Sequence, residues 1–279
     1  MSGDLTELLS ALDVQPIDGG FLGQPDRLPL PQPFGGHLVA QALVAAGRTV
    51  EEGRAPHSLH AYFLRAGDRS SPLHLRVQTL RDGRTGSVRS VRVEQAGREL
   101  VHVLASFALP ADGPLSHVAA PRTVGSPEAA VSAIELSAGS GELDAWAGFG
   151  ALDVRVVPGR PSGGTIQHNH AWMRARGPVG GDPLLHAAVQ AYCSDLTLLS
   201  SVLVPNGLVF GYEHEYPDIV RALSVDHAVW FHQPAPADEW LLLEQVSPVG
   251  QGNRGLATGT FFDRAGAPVL SVAQEALLR

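Results

Sequence analysis

The chain has 279 residues, of which 44% are hydrophobic and 17% charged, and its formal net charge is −8. These values are typical of a folded protein of one large or two smaller domains, and they exclude a mostly disordered chain. The acidic balance argues against a nucleic-acid surface, and no apolar run is long enough for a membrane span. A single cysteine, Cys193, excludes a disulfide within the chain and, with no secretion signal at the N-terminus, favours a cytoplasmic location.

The first half of the sequence predicts an extended lead-in, one long helix and four strands. The lead-in is VQPIDGGFLGQ, and PFGGHLVAQALVAAGRTV then carries apolar residues at helical spacing after two glycines. Four strand-like runs follow: HSLHAYFLRAG, SPLHLRVQTLRDG, SVRSVRVEQAG and RELVHVLASFAL. The letters QAGR between the last two runs predict a tight hairpin turn in which glycine takes a positive φ.

The second half repeats this order after a connecting segment that is rich in Ala, Gly, Ser and Pro. One short helix, EAAVSAIELSA, is predicted within the connection. LDVRVVPGR and TIQHNHAWMRARG are the lead-in, DPLLHAAVQAYCSDLTLLSSVLV is the helix, and four strand-like runs end the chain: RALSVDHAVWFHQP, DEWLLLEQVSPVG, NRGLATGTFFDRAG and APVLSVAQEALL. We therefore predict an α+β fold of two similar domains, residues 1–110 and 151–279, with a linker at 111–150 and two antiparallel sheets joined side by side.

The second half carries polar residues where the first half has apolar ones. Side-chain alternation along the last strand places Gln274 on an apolar face, and the matching residue in the first half is Ala105. On the second helix, Asp195 lies in the middle of an apolar stripe and aligns with Ala46. A buried amide or carboxylate costs free energy unless it is hydrogen-bonded. The two positions therefore predict a site built into the second core only.

A third polar residue, Ser224, begins the strand-like run SVDHAVWFH beside this helix. We expect Asp195, Ser224 and Gln274 to converge and to hold a water molecule. The carboxylate would orient the water and accept its proton, while the amide and the hydroxyl would fix its other bonds. This arrangement is typical of general-base hydrolysis of an activated acyl group. Asp226 and His227 point to opposite faces of their strand and are not assigned to the catalytic set.

Six stretches in order resemble the acyl-CoA thioesterase II (TesB-like) family: FGGHLVAQAL, HAYFLRAGD, QTLRDG, AYCSDLTLL, SVDHAVWFH and the terminal VAQE. The resemblance covers nearly the whole chain. It implies a tandem double hotdog fold, the hydrolysis of fatty acyl-CoA to free fatty acid and CoA in lipid metabolism, no cofactor, and a homo-oligomer that is a dimer or larger. The family's catalytic aspartate, hydroxyl residue and glutamine fall on Asp195, Ser224 and Gln274. Threonine often occupies the hydroxyl position, so Ser224 departs from the pattern and has a freer rotamer.

Two further groups are candidates for substrate binding. In the hotdog architecture a helix start can face the partner domain's site, so Gly35, Gly36 or His37 of FGGH are candidates to polarise the thioester carbonyl. The segment LRDGRTGSVRSVR offers arginines to the CoA phosphates, of which we select Arg81 and Arg89. A solvated arginine-rich hairpin is the alternative for each of them.

Other functions are weighed against hydrolysis. A double-hotdog enoyl-CoA hydratase would need an aspartate followed five residues later by histidine, whereas Asp195 is followed by Ser200. A non-catalytic acyl-CoA-binding protein would not need polar groups confined to one core. No G-x-S-x-G motif supports a serine nucleophile. HNH at 168–170 and EHE at 213–215 suggest no third metal ligand, so no metal site is predicted.

Overall fold

The computed structural model describes residues 4–111, 113, 117–137, 143–157, 166–210 and 222–278. The helices within them are α1 (Leu5–Leu12), α2 (Gly35–Gly47), α3 (Ala133–Leu136), α4 (Leu143–Gly148), α5 (Pro183–Ser194) and α6 (Ser200–Leu203). The strands are β1 (Gln15–Ile17), β2 (Gly20–Gly23), β3 (Ala55–Phe63), β4 (Leu73–Asp82), β5 (Gly86–Gln95), β6 (Arg98–Ala108), β7 (Val131–Ser132), β8 (Leu152–Val157), β9 (Asn169–Ala175), β10 (Ala222–Ser224), β11 (Asp226–Phe231), β12 (Leu241–Gln251), β13 (Arg254–Phe262) and β14 (Pro268–Leu278). None of the helices in these ranges has the length and apolar character that a membrane crossing requires.

All fourteen strands of the described residues belong to one antiparallel sheet. Its order is β1-β2-β4-β5-β6-β3-β11-β14-β13-β12-β9-β8-β7, and β10 pairs with the far end of β14. The first half of this order, β2-β4-β5-β6-β3, recurs in mirror order in the second half as β11-β14-β13-β12-β9. β3 and β11 join the halves, with Leu59 opposite Val229 and Ala61 opposite His227. The predicted succession of one long helix and four strands is therefore present in each half, and the sheets meet side by side as expected.

Helices α2 and α5 pack against each other and run in opposite directions on the inner face of the sheet. The start of α2 at Gly35 lies against Asp195, just after the end of α5, while Gly47 at the end of α2 lies against Leu184 near the start of α5. Every residue of α2 from Gly36 to Ala46 is buried, which suits a helix that is apolar apart from His37 and Gln41. The many alanines of both helices let the two backbones approach closely. This packing brings the end of one helix to the beginning of the other.

The second helix is shorter than predicted. α5 ends at Ser194, Asp195 is its C-cap with φ −96° and ψ −1°, and the chain becomes helical again only at Ser200. The Ser194 hydroxyl lies 2.8 Å from the Ala191 carbonyl oxygen, and such local bonds compete with the helix ladder. Asp195 thus lies at a helix end rather than in the middle of a buried stripe, which corrects the expectation from periodicity.

The connecting segment also differs from the prediction of one helix. A 3-10 turn (Pro127–Ala129) comes first, then β7, and only then α3. β7 pairs with β8, with Val131 opposite Val156, so sheet pairing overrides the weak helical pattern at this point. The hairpin prediction for QAGR is confirmed, since Gly97 has φ +72°, and Ala96 also has a positive φ of +47°. Positive φ at both central residues is typical of the type I′ turn that matches strand twist.

Candidate active site

The structure brings together the three side chains that the comparison of the halves singled out. The Gln274 amide nitrogen Nε2 donates to Asp195 Oδ1 at 2.7 Å and to Ser224 Oγ at 2.7 Å. Gln274 is fully buried and Asp195 is only 8% exposed. Strand alternation in β14 directs Gln274 inward, Ser224 ends β10 opposite Ala276, and Asp195 follows α5. The three groups form one hydrogen-bonded chain, with the amide in its centre.

The amide does not have the role that the sequence suggested for it. Both N–H groups of Gln274 are used on protein acceptors, so they orient the carboxylate and the hydroxyl instead of binding a water directly. Gln274 Oε1 is buried and has no hydrogen-bond partner. Because Ser224 accepts from the amide, its own O–H can donate elsewhere.

The start of α2 completes the site from the other half of the chain. A Cβ atom on Gly35 would lie 2.7 Å from Asp195 Oδ2, and one on Gly36 would lie 2.7 Å from the Tyr192 carbonyl oxygen. Both positions therefore require glycine, because a Cβ atom would be too close to these oxygens. The N-cap of α2, Phe34, provides no side-chain hydrogen bond to the helix start. The N–H groups and the positive dipole end of α2 are thus directed at the carboxylate.

Burial and its neighbours act on the Asp195 pKa in opposite directions. Burial raises the pKa of this carboxyl above its usual value, and His227, the Gln274 amide and the Gly36 N–H each lower it in part. A carboxylate at the C-terminal end of its own helix is disfavoured by the dipole of α5, so the start of α2 offsets that cost. The net pKa remains raised, which favours the uptake of a proton by this carboxylate.

His37, the third candidate at the start of α2, does not take part in this arrangement. Its backbone N–H donates to the Phe34 carbonyl oxygen at 3.1 Å, and its ring Nε2 lies 2.8 Å from the Gln24 carbonyl oxygen. Both groups are therefore used within the protein. The ring Nδ1 is buried without a hydrogen-bond partner, so the expectation that His37 polarises a substrate carbonyl stays a prediction, as it does for Gly35 and Gly36.

Arg89 has a structural role in place of the predicted phosphate contact. Its side chain is 2% exposed, and the guanidinium donates to Thr49 Oγ1, the Thr49 carbonyl oxygen and Asp82 Oδ1 at 2.8–2.9 Å. Thr49 follows the end of α2, about 20 Å along the helix from the Asp195 site. A buried, fully engaged guanidinium cannot reach a CoA phosphate, so this expectation is wrong. Arg81 is exposed and stays a prediction.

Arg89→Met is expected to lower the free energy of unfolding by about 2 kcal/mol, because the charge-assisted hydrogen bonds to Thr49 and Asp82 are lost. The KM for acyl-CoA is expected to be unchanged. Urea denaturation and steady-state kinetics measure the two quantities, and Arg81→Met is the exposed matched control, which should leave stability unchanged. A raised KM with unchanged stability in Arg89→Met would restore Arg89 as a ligand of the phosphates.

The first half has no comparable site, because larger side chains fill the equivalent space. The alignment that sets Asp195 against Ala46 also sets Leu184 against Gly35, and the Leu184 side chain occupies the place where a Gly47 Cβ would lie. Arg89 pairs with Ala105, the residue that matches Gln274. In the first half, the space that corresponds to the polar chain of the second half is therefore filled by the side chains of Leu184 and Arg89.

The letter patterns that resembled metal sites do not form one in the part of the chain that is described. His168 Nδ1 lies 2.8 Å from the Arg122 guanidinium, and His170 Nε2 lies 3.1 Å from Glu244. The described residues contain no group of three or more His, Cys, Asp or Glu side chains placed to hold an ion. Residues 213–215 lie outside the described ranges.

Two sequence profiles match the chain. The profile described as acyl-CoA thioesterase matches residues 149–277, and the profile described as acyl-CoA thioesterase N-terminal domain matches residues 25–108. Acyl-coenzyme A thioesterase 8 of Rattus norvegicus is 35% identical and aligns with 100% of this chain and 91% of its own length. Acyl-CoA thioesterase 2 of Haemophilus influenzae is 32% identical and aligns with 100% of this chain and 99% of its own length.

The chain is also similar to solved structures of thioesterases and hotdog proteins. The acyl-CoA thioesterase II TesB2 of Mycobacterium marinum superposes with a TM-score of 0.81 at 34% identity, over 98% of each chain. A protein of Alicyclobacillus acidocaldarius, described as having a hot dog fold, superposes with a TM-score of 0.75 at 18% identity over 98% of this chain and 97% of its own. The second likeness concerns the fold alone, and it identifies the architecture as a hotdog.

Proposed function

Because the chain belongs to the acyl-CoA thioesterase family of thioester hydrolases, we propose that it hydrolyses fatty acyl-CoA with Asp195 as the general base. The observation that carries the proposal is the hydrogen-bonded chain Asp195–Gln274–Ser224, with both distances at 2.7 Å. The first half has the same helix and strands without these groups. The polar chain is therefore not a requirement of the fold.

In the proposed reaction, a water between Asp195 and Ser224 attacks the thioester carbonyl carbon. Asp195 accepts a proton from the water as the new C–O bond forms, and the carbonyl oxygen becomes an oxyanion. The start of α2, where the Gly35 N–H has no carbonyl one turn earlier in the helix, faces this position and stabilises the negative charge. When the C–S bond breaks, the proton on Asp195 passes to the CoA sulfur, and the products are the free acid and CoA.

A covalent route through the cysteine has no support in the described residues. Burial raises the pKa of the Cys193 thiol to about 12, so the thiolate is scarce at neutral pH. Cys193 lies two residues before Asp195, and its side chain is buried. Water therefore remains the nucleophile in the proposal.

We also infer that the chain is a tandem double hotdog, with domains 1–110 and 151–279 and a linker at 111–150. The repeated strand order, β2-β4-β5-β6-β3 and β9-β12-β13-β14-β11, supports this division. The two profile matches fall in separate domains apart from residues 149–150. The homo-oligomer, the cytoplasmic location, the role in lipid metabolism and the CoA contact of Arg81 stay predictions.

The proposal is tested by incubating the purified protein with saturated and 2-enoyl acyl-CoA substrates of graded chain length. We expect equal amounts of free thiol and free acid from the saturated substrates and no 3-hydroxyacyl-CoA from the 2-enoyl ones. Formation of 3-hydroxyacyl-CoA would favour the hydratase, and tight binding without turnover of any substrate would favour the binding protein.

The activity is expected to rise with pH on the acid side, because only the ionised Asp195 can accept a proton. Burial raises the pKa of this carboxyl, so the acid limb of the kcat/KM profile should have its midpoint above the ordinary aspartate value of about 4. The measurement is kcat/KM between pH 4 and 9, since this ratio reports the free enzyme. A profile that is flat down to the ordinary aspartate pKa would contradict the assignment.

A further inference from the structure

A buried histidine that the sequence analysis left out lies directly beside the three polar groups. His227 on β11 is fully buried, and its ring Nε2 lies 2.7 Å from Ser194 Oγ. Its other nitrogen, Nδ1, lies 3.8 Å from Asp195 Oδ1 and has no hydrogen-bond partner. Strands β11 and β14 are antiparallel, and Ala228 pairs with Ala273. The next position therefore sets His227 opposite Gln274. The histidine thus contacts the end of α5 on one side and the carboxylate on the other.

The fold does not require a histidine at this position. In the first half, Ala105 pairs with Leu59, which is buried in the apolar core. In the second half, the matching Gln274 faces His227. An imidazole with an unused nitrogen in a fully buried place costs free energy relative to leucine. His227 therefore belongs to the same set of polar replacements as Asp195 and Gln274.

The hydrogen bonds around the ring determine which of its nitrogens carry a proton. The Ser194 hydroxyl donates to the Ala191 carbonyl oxygen at 2.8 Å, so the Nε2–H group of His227 donates to Ser194 Oγ at 2.7 Å. Nδ1 faces two acceptors, Asp195 Oδ1 and Gln274 Oε1. A ring that also carries a proton on Nδ1 is therefore the attractive arrangement beside an ionised Asp195.

We propose that His227 is a positioning residue for the base: Ser194 fixes the ring, and the Nδ1–H group is directed at the Asp195 carboxylate and at Gln274 Oε1. This inference rests on the proposed function of Asp195. Gln274 Oε1 is the buried acceptor without a partner. A donor on this side keeps the amide oriented so that its nitrogen faces Asp195 and Ser224. The histidine would act through these two residues and not on the substrate.

The direction of the expected pH effect follows from the groups that face the carboxylate. Burial lowers the pKa of His227, and the Asp195 carboxylate raises it in part. His227 lowers the pKa of Asp195, against the effect of burial. The other charged or titratable groups that act on this pair are Tyr192 on α5 and Asp226 on β11. The start of α2 contributes backbone N–H groups, and β10 and β14 contribute a hydroxyl and an amide that do not titrate.

The test compares His227→Leu, which restores the residue of the first half, with His227→Asn, whose amide nitrogen can take the place of Nδ1. We expect His227→Leu to move the acid limb of the kcat/KM profile to higher pH by about one unit and to lower kcat at neutral pH by about tenfold. His227→Asn should recover part of the shift of the acid limb, because it restores the donor at Nδ1. Ser194→Ala should move the limb in the same direction as His227→Leu by a smaller amount.

His60→Asn is the matched control, because His60 is exposed on the neighbouring strand β3 and packs edge-on against Trp230 at 5.1 Å. It should leave the pH profile unchanged. An acid limb that stays in place in His227→Leu would overturn the proposal and reduce His227 to core packing. If His227→Leu does not fold, an unmoved limb in both Ser194→Ala and a His227→Gln variant, which lacks the donor at Nδ1, would overturn it equally. Retained activity in Asp195→Asn would instead refute the proposed function.

Discussion

Asp195→Asn is expected to reduce kcat for acyl-CoA hydrolysis by about 10³-fold, because the variant removes the proposed acceptor of the water proton. Asparagine has nearly the same shape and can still accept the hydrogen bond from Gln274. The loss should therefore appear in kcat rather than in KM. Thiol release under saturating substrate measures kcat, and circular dichroism and thermal unfolding confirm that the variant is folded.

Asp226→Asn is the matched control for this experiment. Asp226 lies on the opposite face of β11 from His227, and its Oδ1 accepts a hydrogen bond from the Glu275 N–H at 2.8 Å, which an asparagine can preserve. Its activity should stay near that of the unmodified enzyme. A folded Asp195→Asn protein with activity within tenfold of the original would exclude Asp195 as the general base.

Gly35→Ala is expected to reduce kcat/KM by about 10²-fold, because a single methyl group displaces the carboxylate by part of an ångström. The added Cβ would lie 2.7 Å from Asp195 Oδ2 and 2.9 Å from the Phe63 ring, so either the base or the start of α2 must shift. The helix start and the base would then no longer face the same position. Kinetics with one acyl-CoA measure the loss of activity, and a thermal unfolding curve measures any loss of stability.

Gly181→Ala is the matched control for the glycine, since an added Cβ at this position meets no atom within 4 Å. Activity and stability of this variant should be unchanged. Full activity in Gly35→Ala would show that the start of α2 is not part of the site.

Much of the fold could be predicted from the sequence because the same pattern occurs twice. Alternation along each strand and glycines at the hairpins, such as Gly97, are local signals that the structure preserves. The comparison of the two halves also singled out Gln274 and Asp195, since a polar residue in place of a core alanine costs free energy unless it is hydrogen-bonded. The break of the second helix at Asp195 was not predicted, because its apolar spacing continues through a residue that caps the helix.

The roles of His227 and Arg89 were not predicted, because they depend on strand register and on packing between elements. His227 was not assigned to the catalytic set, because it points to the opposite face of its strand from Asp226. Strand pairing places it opposite Gln274, in the position that the buried Leu59 has in the first half. The opposite error concerned Arg89, whose burial depends on Thr49 at the distant end of α2. An arginine in a hairpin gives no local sign of such a partner.

The source of the oxygen in the product tests the central claim most directly. A single turnover with enzyme in excess, in water enriched in ¹⁸O, should place one heavy oxygen in the released fatty acid and none in the peptide that contains Asp195. This result is expected if Asp195 activates a water that attacks the thioester carbon. Heavy oxygen in the Asp195 carboxylate, or an acyl group trapped on it, would show that Asp195 attacks the substrate itself and would contradict the proposed mechanism.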